Sequence, residues 1–524
     1  MKVLVVTGMR AKDIVKEHLR RNEFDHEICI LPVPVAALMS TQYIASMLEH
    51  KDLSGIDLVL IPGLIKGDTS IIRKRVGITS WKGPKNAADL PNVLKVIEKI
   101  RFSTISPADE SIRKAGIKDI ERSLNRIEKE SKKTTPREDL FILGKGEKRL
   151  FLGPNFPMRI LAEIVDASIM STEEIKKRTN FFDASGADII DVGMVAGGGH
   201  PEDSSRAVKA VKKYTKKIVS IDAQDPEEII CAIKAGADLI LSIDAENMSE
   251  VAEFTVDTPV VVTASGRGHV LEENVEKRIS QLNENIHRAR SLGYMNIIAD
   301  PVLSPIFSPD LCTSIQAYFR FREMDANTPV LFGAGNVTEL IDGDSIGANL
   351  LLTGIAAEVG ANIILTTEGS VKTKNSVSEV VKAVKMITLA KNRKSPPKDL
   401  GIDLLVMKDK NWKEEMFTIT EKIKKLSAKG NLDPAHDQRG SYRILIDRDK
   451  NEIVMAHYDY GTIKPDLIFK SKEPDQLIGE AINRSLLSRL EHAYYLGREL
   501  EKAKIAILTG KSYVQDQELF FGTN

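Results

Sequence analysis

The chain holds 524 residues, with Lys+Arg and Asp+Glu each numbering 74, so it carries no net charge with histidine neutral. That balance offers no general attraction to nucleic acid or to a membrane surface, and no stretch approaches the ~18 uninterrupted apolar residues of a membrane span. The length exceeds what one core supports, so about two to four domains are expected.

Residues 1 to 100 read as an α/β domain with a parallel sheet. Val3–Val6, Glu27–Leu31 and Asp57–Ile61 are short apolar strands, and Ala11–Arg21 is an amphipathic helix. The opening segment has the pattern of a strand and turn, not the charged, apolar and small-residue succession of a signal peptide. A cytoplasmic protein is the expectation. Ligands of such sheets gather at the carboxyl ends of the strands. Those ends carry Thr7-Gly8, Pro32–Val35 and Pro62-Gly63, with Asp68, Lys85 and Asp89 in the loops beyond. The grouping suits turn chemistry, an anionic ligand or a domain interface; no GxGxxG run supports a dinucleotide.

Residues 101–157 form a connector. A charged helix over Ile117–Ser131 precedes two short strands, Phe141–Leu143 and Arg149–Leu152, a hairpin able to plug the bottom of a barrel.

From 158 to 393, eight strand–helix pairs follow. The strands are Ile160–Val165, Asp188–Val192, Lys217–Ile221, Leu239–Ile243, Pro259–Thr263, Asn296–Ala299, Pro329–Phe332 and Asn362–Thr366. Apolar runs with little alternation mark strands covered on both faces, and eight such units in roughly 250 residues predict a (β/α)8 TIM barrel. A polar, proline-bearing linker then leads to an α+β module over 399–524. Its strands are Arg443–Asp447 and Glu452–His457, and its helix runs over Pro474–Ile505 with His492 beside the apolar stripe as a hydrogen-bonded packing residue. Three cysteines (Cys29, Cys231, Cys312) lie far apart without metal-ligand spacing, which predicts small buried apolar residues and no metal site.

Barrel active sites sit where strands end and βα loops begin. Strand three ends in Asp222 and strand six in Asp300, carboxylates placed to accept from the amino and ring N–H groups of a nitrogen heterocycle, or to cap helices. Strand two carries Asp191, then Gly197, Gly198 and Gly199, whose backbone could approach an anion. Gly333, Gly335 and Asn336 follow strand seven, and Lys372 and Lys374 follow strand eight, in the loops that usually hold phosphate. Arg267 and His269 add a charge and a proton carrier at the rim.

The run Gly186–Gly193, Ser220–Ala223 and Asp300-Pro301 resemble the pterin-binding barrel of dihydropteroate synthases, shared with corrinoid-linked methyltransferases. With Leu31–Val35, Gly83–Lys85 and Gly333–Leu340, the whole chain resembles the archaeal group called dihydropteroate synthase-related. The resemblance implies that Asp222 and Asp300, with Asp191 nearby, hold the pterin. It implies a transferase that condenses 6-hydroxymethyl-7,8-dihydropterin diphosphate with an arylamine, in folate or tetrahydromethanopterin biosynthesis and one-carbon metabolism. For an archaeal member the arylamine would be a ribosylated aminobenzene phosphate.

The sequence also departs from the synthases. Leu241–Asp244 supplies no Asn after strand four, Gly335-Asn336-Val337 replaces a Ser-Arg-Lys run, and Leu365 and Thr367 stand where Arg and His are expected. Val195–Gly199 replaces an Arg-bearing loop. The pterin end is partly kept and much of the diphosphate end is missing, so backbone N–H groups, Lys372, Lys374 or Mg²⁺ would have to compensate. Two further readings stand beside condensation: another pterin- or phosphometabolite-dependent barrel enzyme, such as a one-carbon transferase, and a non-catalytic binding or assembly protein. A homodimer through the barrel helices is compatible with the pattern.

Overall fold

The computed structural model describes residues 1–20, 24–136, 140–266, 271–409, 426–428 and 436–520. Near the amino end, β1 (Val3–Gly8), β2 (His26–Leu31), β3 (Leu58–Ile61) and β4 (Thr79–Lys82) form a parallel sheet in the order β2-β1-β3-β4. Sequence reading found three of these. β4 escaped because it is four residues long and ends in Lys82, which the fold buries with its ammonium on the Ile65 carbonyl. Helices Lys12–Leu19 and Leu90–Val96 cover one face of the sheet and Thr41–Glu49 and Ser70–Val76 the other.

The connector helix runs over Ala108–Thr134, longer at both ends than the expected Ile117–Ser131, and packs on the last barrel helix, Ser376–Arg393. A hairpin follows, of β5 (Phe141–Leu143) and β6 (Leu150–Leu152). Leu143 and Leu152 are buried among Leu161, Ile189, Ile218 and Ile363, the inward side chains at the amino ends of the barrel strands. Arg159 fastens the hairpin by donating to the Phe151 carbonyl and to Glu128, the latter at 2.6 Å.

The barrel strands are β7 (Arg159–Ile164), β8 (Ile189–Gly193), β9 (Ile218–Asp222), β10 (Leu239–Ile243), β11 (Val260–Thr263), β12 (Ile297–Asp300), β13 (Leu331–Gly333) and β14 (Ile363–Thr367). Each lies within two residues of its expected ends. Neighbours are parallel, and a bridge from Ala299 to Val330 closes β12 onto the start of β13. Alternate residues point inward and outward. Ile160, Ala162 and Ile164 join the outer core under the helices, whereas Leu161 joins the inner one. The same period carries Glu163, Asp191, Asp222 and Asp300 to the inside at the carboxyl end, so the barrel is apolar at its base and acidic at its mouth.

The carboxyl-terminal module is an antiparallel sheet of β15 (Ser441–Asp447), β16 (Glu452–Tyr458) and β17 (Leu467–Ser471), packed on two helices, Pro474–Asn483 and Leu490–Thr509. The expected single helix over Pro474–Ile505 is broken at residues 484–489. There the Asp437 carboxylate accepts from the Ser488 hydroxyl, from the Ser488 backbone N–H at 3.0 Å and from the Arg489 N–H at 3.3 Å. His492 donates to the same carboxylate at 3.1 Å, a packing role. Cys29 is buried as expected, but Cys231 is half-buried and Cys312 is exposed at the start of a helix, which corrects the expectation for those two. Among the described residues no helix is long and apolar enough to cross a membrane.

Candidate active site

Strand register assembles the acidic mouth. Glu163 on β7 pairs with Asp191 on β8, Asp191 pairs with Ser220 on β9, and Gly193 pairs with Asp222. Any side chain at Gly193 would collide with the Glu163 carboxylate. Glu163, Asp191 and Asp222 each offer an oxygen lying within 4.8 Å of the others. Asp191 is wholly buried; its Oδ1 accepts from Ser220 Oγ at 2.5 Å, and its Oδ2 has no hydrogen-bond partner.

Such crowding penalises ionisation. Burial, then Asp222, Asp166 and Glu339, push the Glu163 carboxyl up to about 8. Burial followed by Asp222 and Glu163 drives Asp191 well above the ordinary range, and burial raises Asp222, opposed by the Ser242 hydroxyl. Asp300 is pushed up to about 6, again by burial, with the Val302 N–H at 2.8 Å and the Tyr318 hydroxyl at 2.9 Å pulling the other way. Behind it the fully buried Arg278 donates to the Glu272 carbonyl at 2.7 Å and leaves Nη2 unpaired.

Asp222 and Asp300 meet across a cavity of about 180 Å³ that also touches Ser242, Thr263, Gly333 and Asn336. No lysine, arginine or histidine among the described residues lines it. Its chemistry is therefore that of an acceptor: it matches a planar ring bearing several N–H donors. Ser242 and Val302 hold left-handed φ angles of 66° each, strained backbone of the kind concentrated at functional sites.

The expected anion side is arranged differently. The Gly199 N–H donates to Asp225 Oδ2 at 2.8 Å and the His200 N–H to Glu228 Oε1 at 2.9 Å. Gly197, Gly198 and Gly199, all at positive φ, thus form a loop whose last donor is already held by a carboxylate, and a Cβ at Gly198 would strike Asp225. Gly335 is required for close approach to Thr367, and Asn336 donates to the Leu303 carbonyl at 3.0 Å. Lys372 pairs with Asp342 at 3.1 Å; Lys374, half-buried, lies outside the cavity lining. Glu339 occupies the space between loops seven and eight, accepting from Thr367, Gly369 and Thr373. Arg267 and His269 fall outside the described residues.

Sequence reasoning missed Glu163. Its signal was an acid within an apolar strand, in phase with inward Leu161. Chemically, the three carboxylates fit a hard divalent cation, which takes oxygen ligands; the unpaired buried Asp191 oxygen is the feature such an ion would satisfy.

Three family models match parts of the chain. The model described as a pterin binding enzyme matches residues 164–367. A model called PterinBD-DUF4346 matches 436–516, and a family of unknown function (DUF6513) matches 2–85. An uncharacterized protein of Methanocaldococcus jannaschii is 36% identical over 535 residues, covering 99% of each chain. Among solved structures, dihydropteroate synthase from Yersinia pestis with a pterine-sulfa conjugate is 18% identical, covering 48% of this chain and 100% of its own at a TM-score of 0.39. The Xanthomonas albilineans enzyme in complex with 7,8-dihydropteroate is 20% identical, with 48% and 98% covered at 0.39. The chain belongs to the dihydropteroate synthase-related, pterin-binding TIM-barrel proteins.

Proposed function

We propose that the barrel mouth binds a pterin through Asp222 and Asp300 and that the chain is a pterin-dependent transferase. The observation that carries this reading is the pair of inward strand-end aspartates sharing one cavity that no lysine, arginine or histidine among the described residues lines. A pterin's amino and ring N–H groups supply the donors these acceptors lack. Condensation of the hydroxymethyl-dihydropterin diphosphate with an arylamine is the reaction proposed from the family. In it the protein's work is to hold the arylamine nitrogen in line with the exocyclic carbon and to shield the bond change from water.

The departing diphosphate is the difficulty. Each charged hydrogen bond is worth ~1.5–3 kcal/mol, and the acidic cluster opposes an anion instead of supplying such bonds. Glu163, Asp191 and Asp222 are the residues that would hold Mg²⁺, which when bound would bring positive charge to that oxyanion. That no cation among the described residues lines the cavity favours a second reading, a one-carbon transfer to or from the pterin with no diphosphate to release.

Isothermal titration of the protein with 6-hydroxymethyl-7,8-dihydropterin diphosphate, with and without Mg²⁺, is the first test. Binding lost in Asp222→Asn supports the pterin site. Pyrophosphate release on adding an arylamine then supports condensation, and tight pterin binding without release by any arylamine supports the second reading. No binding at all would refute the pterin assignment.

A further inference from the structure

The amino-terminal sheet contains a second cavity, of opposite character. The connection after β1 runs to the face covered by helix Lys12–Leu19, and the one after β2 runs to the face covered by Thr41–Glu49, on the far side of β1. Strand order therefore reverses between β1 and β3, and a crevice opens at their carboxyl ends, the place where open α/β sheets bind ligands. A cavity of about 380 Å³ lies there. Val5 from β1, Leu60 from β3, Ile14 from the first helix and Leu90 from the fourth form its apolar walls, with Val35 and Leu64 exposed at the rim.

Its polar edge has one sign. Arg10 and Lys85 line the cavity, no acidic side chain does, and neither cation makes an ion pair with a described residue. The strand ends that frame it are locked. Met9 and Arg10 donate their N–H groups to the Val33 and Pro34 carbonyls, Gly63 donates to the Pro84 carbonyl at 2.9 Å, and a Cβ at Gly63 would strike that backbone. The cavity is thus a formed feature, at the small end of the ~300–1,000 Å³ typical of small-molecule sites.

We propose that this crevice is a binding site for a small amphipathic organic anion, a flat apolar body carrying one carboxylate or phosphate. The apolar walls take the body, and the Arg10 guanidinium and Lys85 ammonium take the charged end at the mouth. The barrel cavity, lined by acids, could not accept such a molecule, so the two sites bind ligands of opposite chemistry.

The test is calorimetric titration of the full chain with 1-naphthyl phosphate, 1-naphthoate, neutral 1-naphthol and inorganic phosphate. The aryl anions are expected to bind at least about tenfold tighter than either 1-naphthol or inorganic phosphate, as charged hydrogen bonds to both cations require. Arg10→Ala and Lys85→Ala should each weaken them about fivefold or more, and Asp222→Asn should leave them unchanged. A preference between phosphate and carboxylate identifies which acid the native ligand carries. Three results would overturn the proposal: no advantage over 1-naphthol, indifference to both cation variants, or loss in Asp222→Asn. So would a dimer that Leu64→Asp breaks, without probe binding, which would make the crevice a contact between copies of the chain.

Discussion

At the scale of single residues, the barrel mouth is a set of carboxyl groups held where ionisation is costly. Glu163 titrates at about 8 in the fold and in the ordinary range once unfolded, so between those values the folded chain retains a proton that the unfolded chain has lost. Its contribution favours the fold most at low pH and weakens as pH rises through that window. Glu163→Gln should accordingly raise Tm at pH 8 and flatten the pH dependence of Tm between 6 and 8 in scanning calorimetry. Asp300, raised to about 6, accepts more strongly, and at both oxygens, once it is ionised. Pterin affinity should fall as pH drops from 7.5 to 5, and less steeply in Asp300→Asn. Asp222→Asn or Asp300→Asn should weaken pterin binding by ~1–3 kcal/mol, because an amide presents a donor where the ring already has one. Unchanged affinity in titration would place the pterin elsewhere.

At the scale of elements, two small features hold larger ones in place. The β5–β6 hairpin fills the base of the barrel with Leu143 and Leu152, both buried in the inner core. Leu152→Ala should therefore destabilise by about 2–5 kcal/mol, the cost of a cavity in a packed core, measured by urea unfolding. In the carboxyl-terminal module Asp437 joins the break between two helices to the sheet. Burial opposes its charge, yet bonds from Ser488, Arg439 and His492 prevail and hold it far below the usual carboxylate range. Because that acid is depressed, its stabilisation is present at neutral pH and is lost as pH falls below the ordinary aspartate value. Asp437→Asn should abolish that acid sensitivity in the near-ultraviolet signal of the module's tyrosines.

For the whole molecule, zero net charge conceals a segregation of charge. Acids converge in the barrel mouth, while two cations without an ion pair to any described residue edge the crevice of the amino-terminal sheet. A ligand bound only by the folded state raises apparent stability by mass action. Millimolar Mg²⁺ should then raise the Tm of the wild-type chain at pH 8 and leave that of Asp191→Asn unmoved. An equal rise in both would assign the ion to the surface.

The sequence by itself determined the barrel. Apolar strands recurring between amphipathic helices can bury both faces of a strand in few other ways, and all eight strands were legible to within two residues. Asp222 and Asp300 were legible too, because a strand's last inward residue must face the mouth. Tertiary structure decided what those acids meet. Glu163 faces the mouth by the same local phase, and the register of β7 beside β8 sets it against Asp191. The glycine loop after β8 looked open to an anion until folding brought Asp225 onto its last donor and Glu228 onto the N–H that follows. Likewise the long carboxyl-terminal helix kept a helical period through residues 484–489, and only the arrival of Asp437, some 50 residues earlier in the chain, broke it. Local periodicity sets the elements because it is a property of adjacent residues; partner carboxylates are set by which segments pack together, and that is decided only in the folded chain.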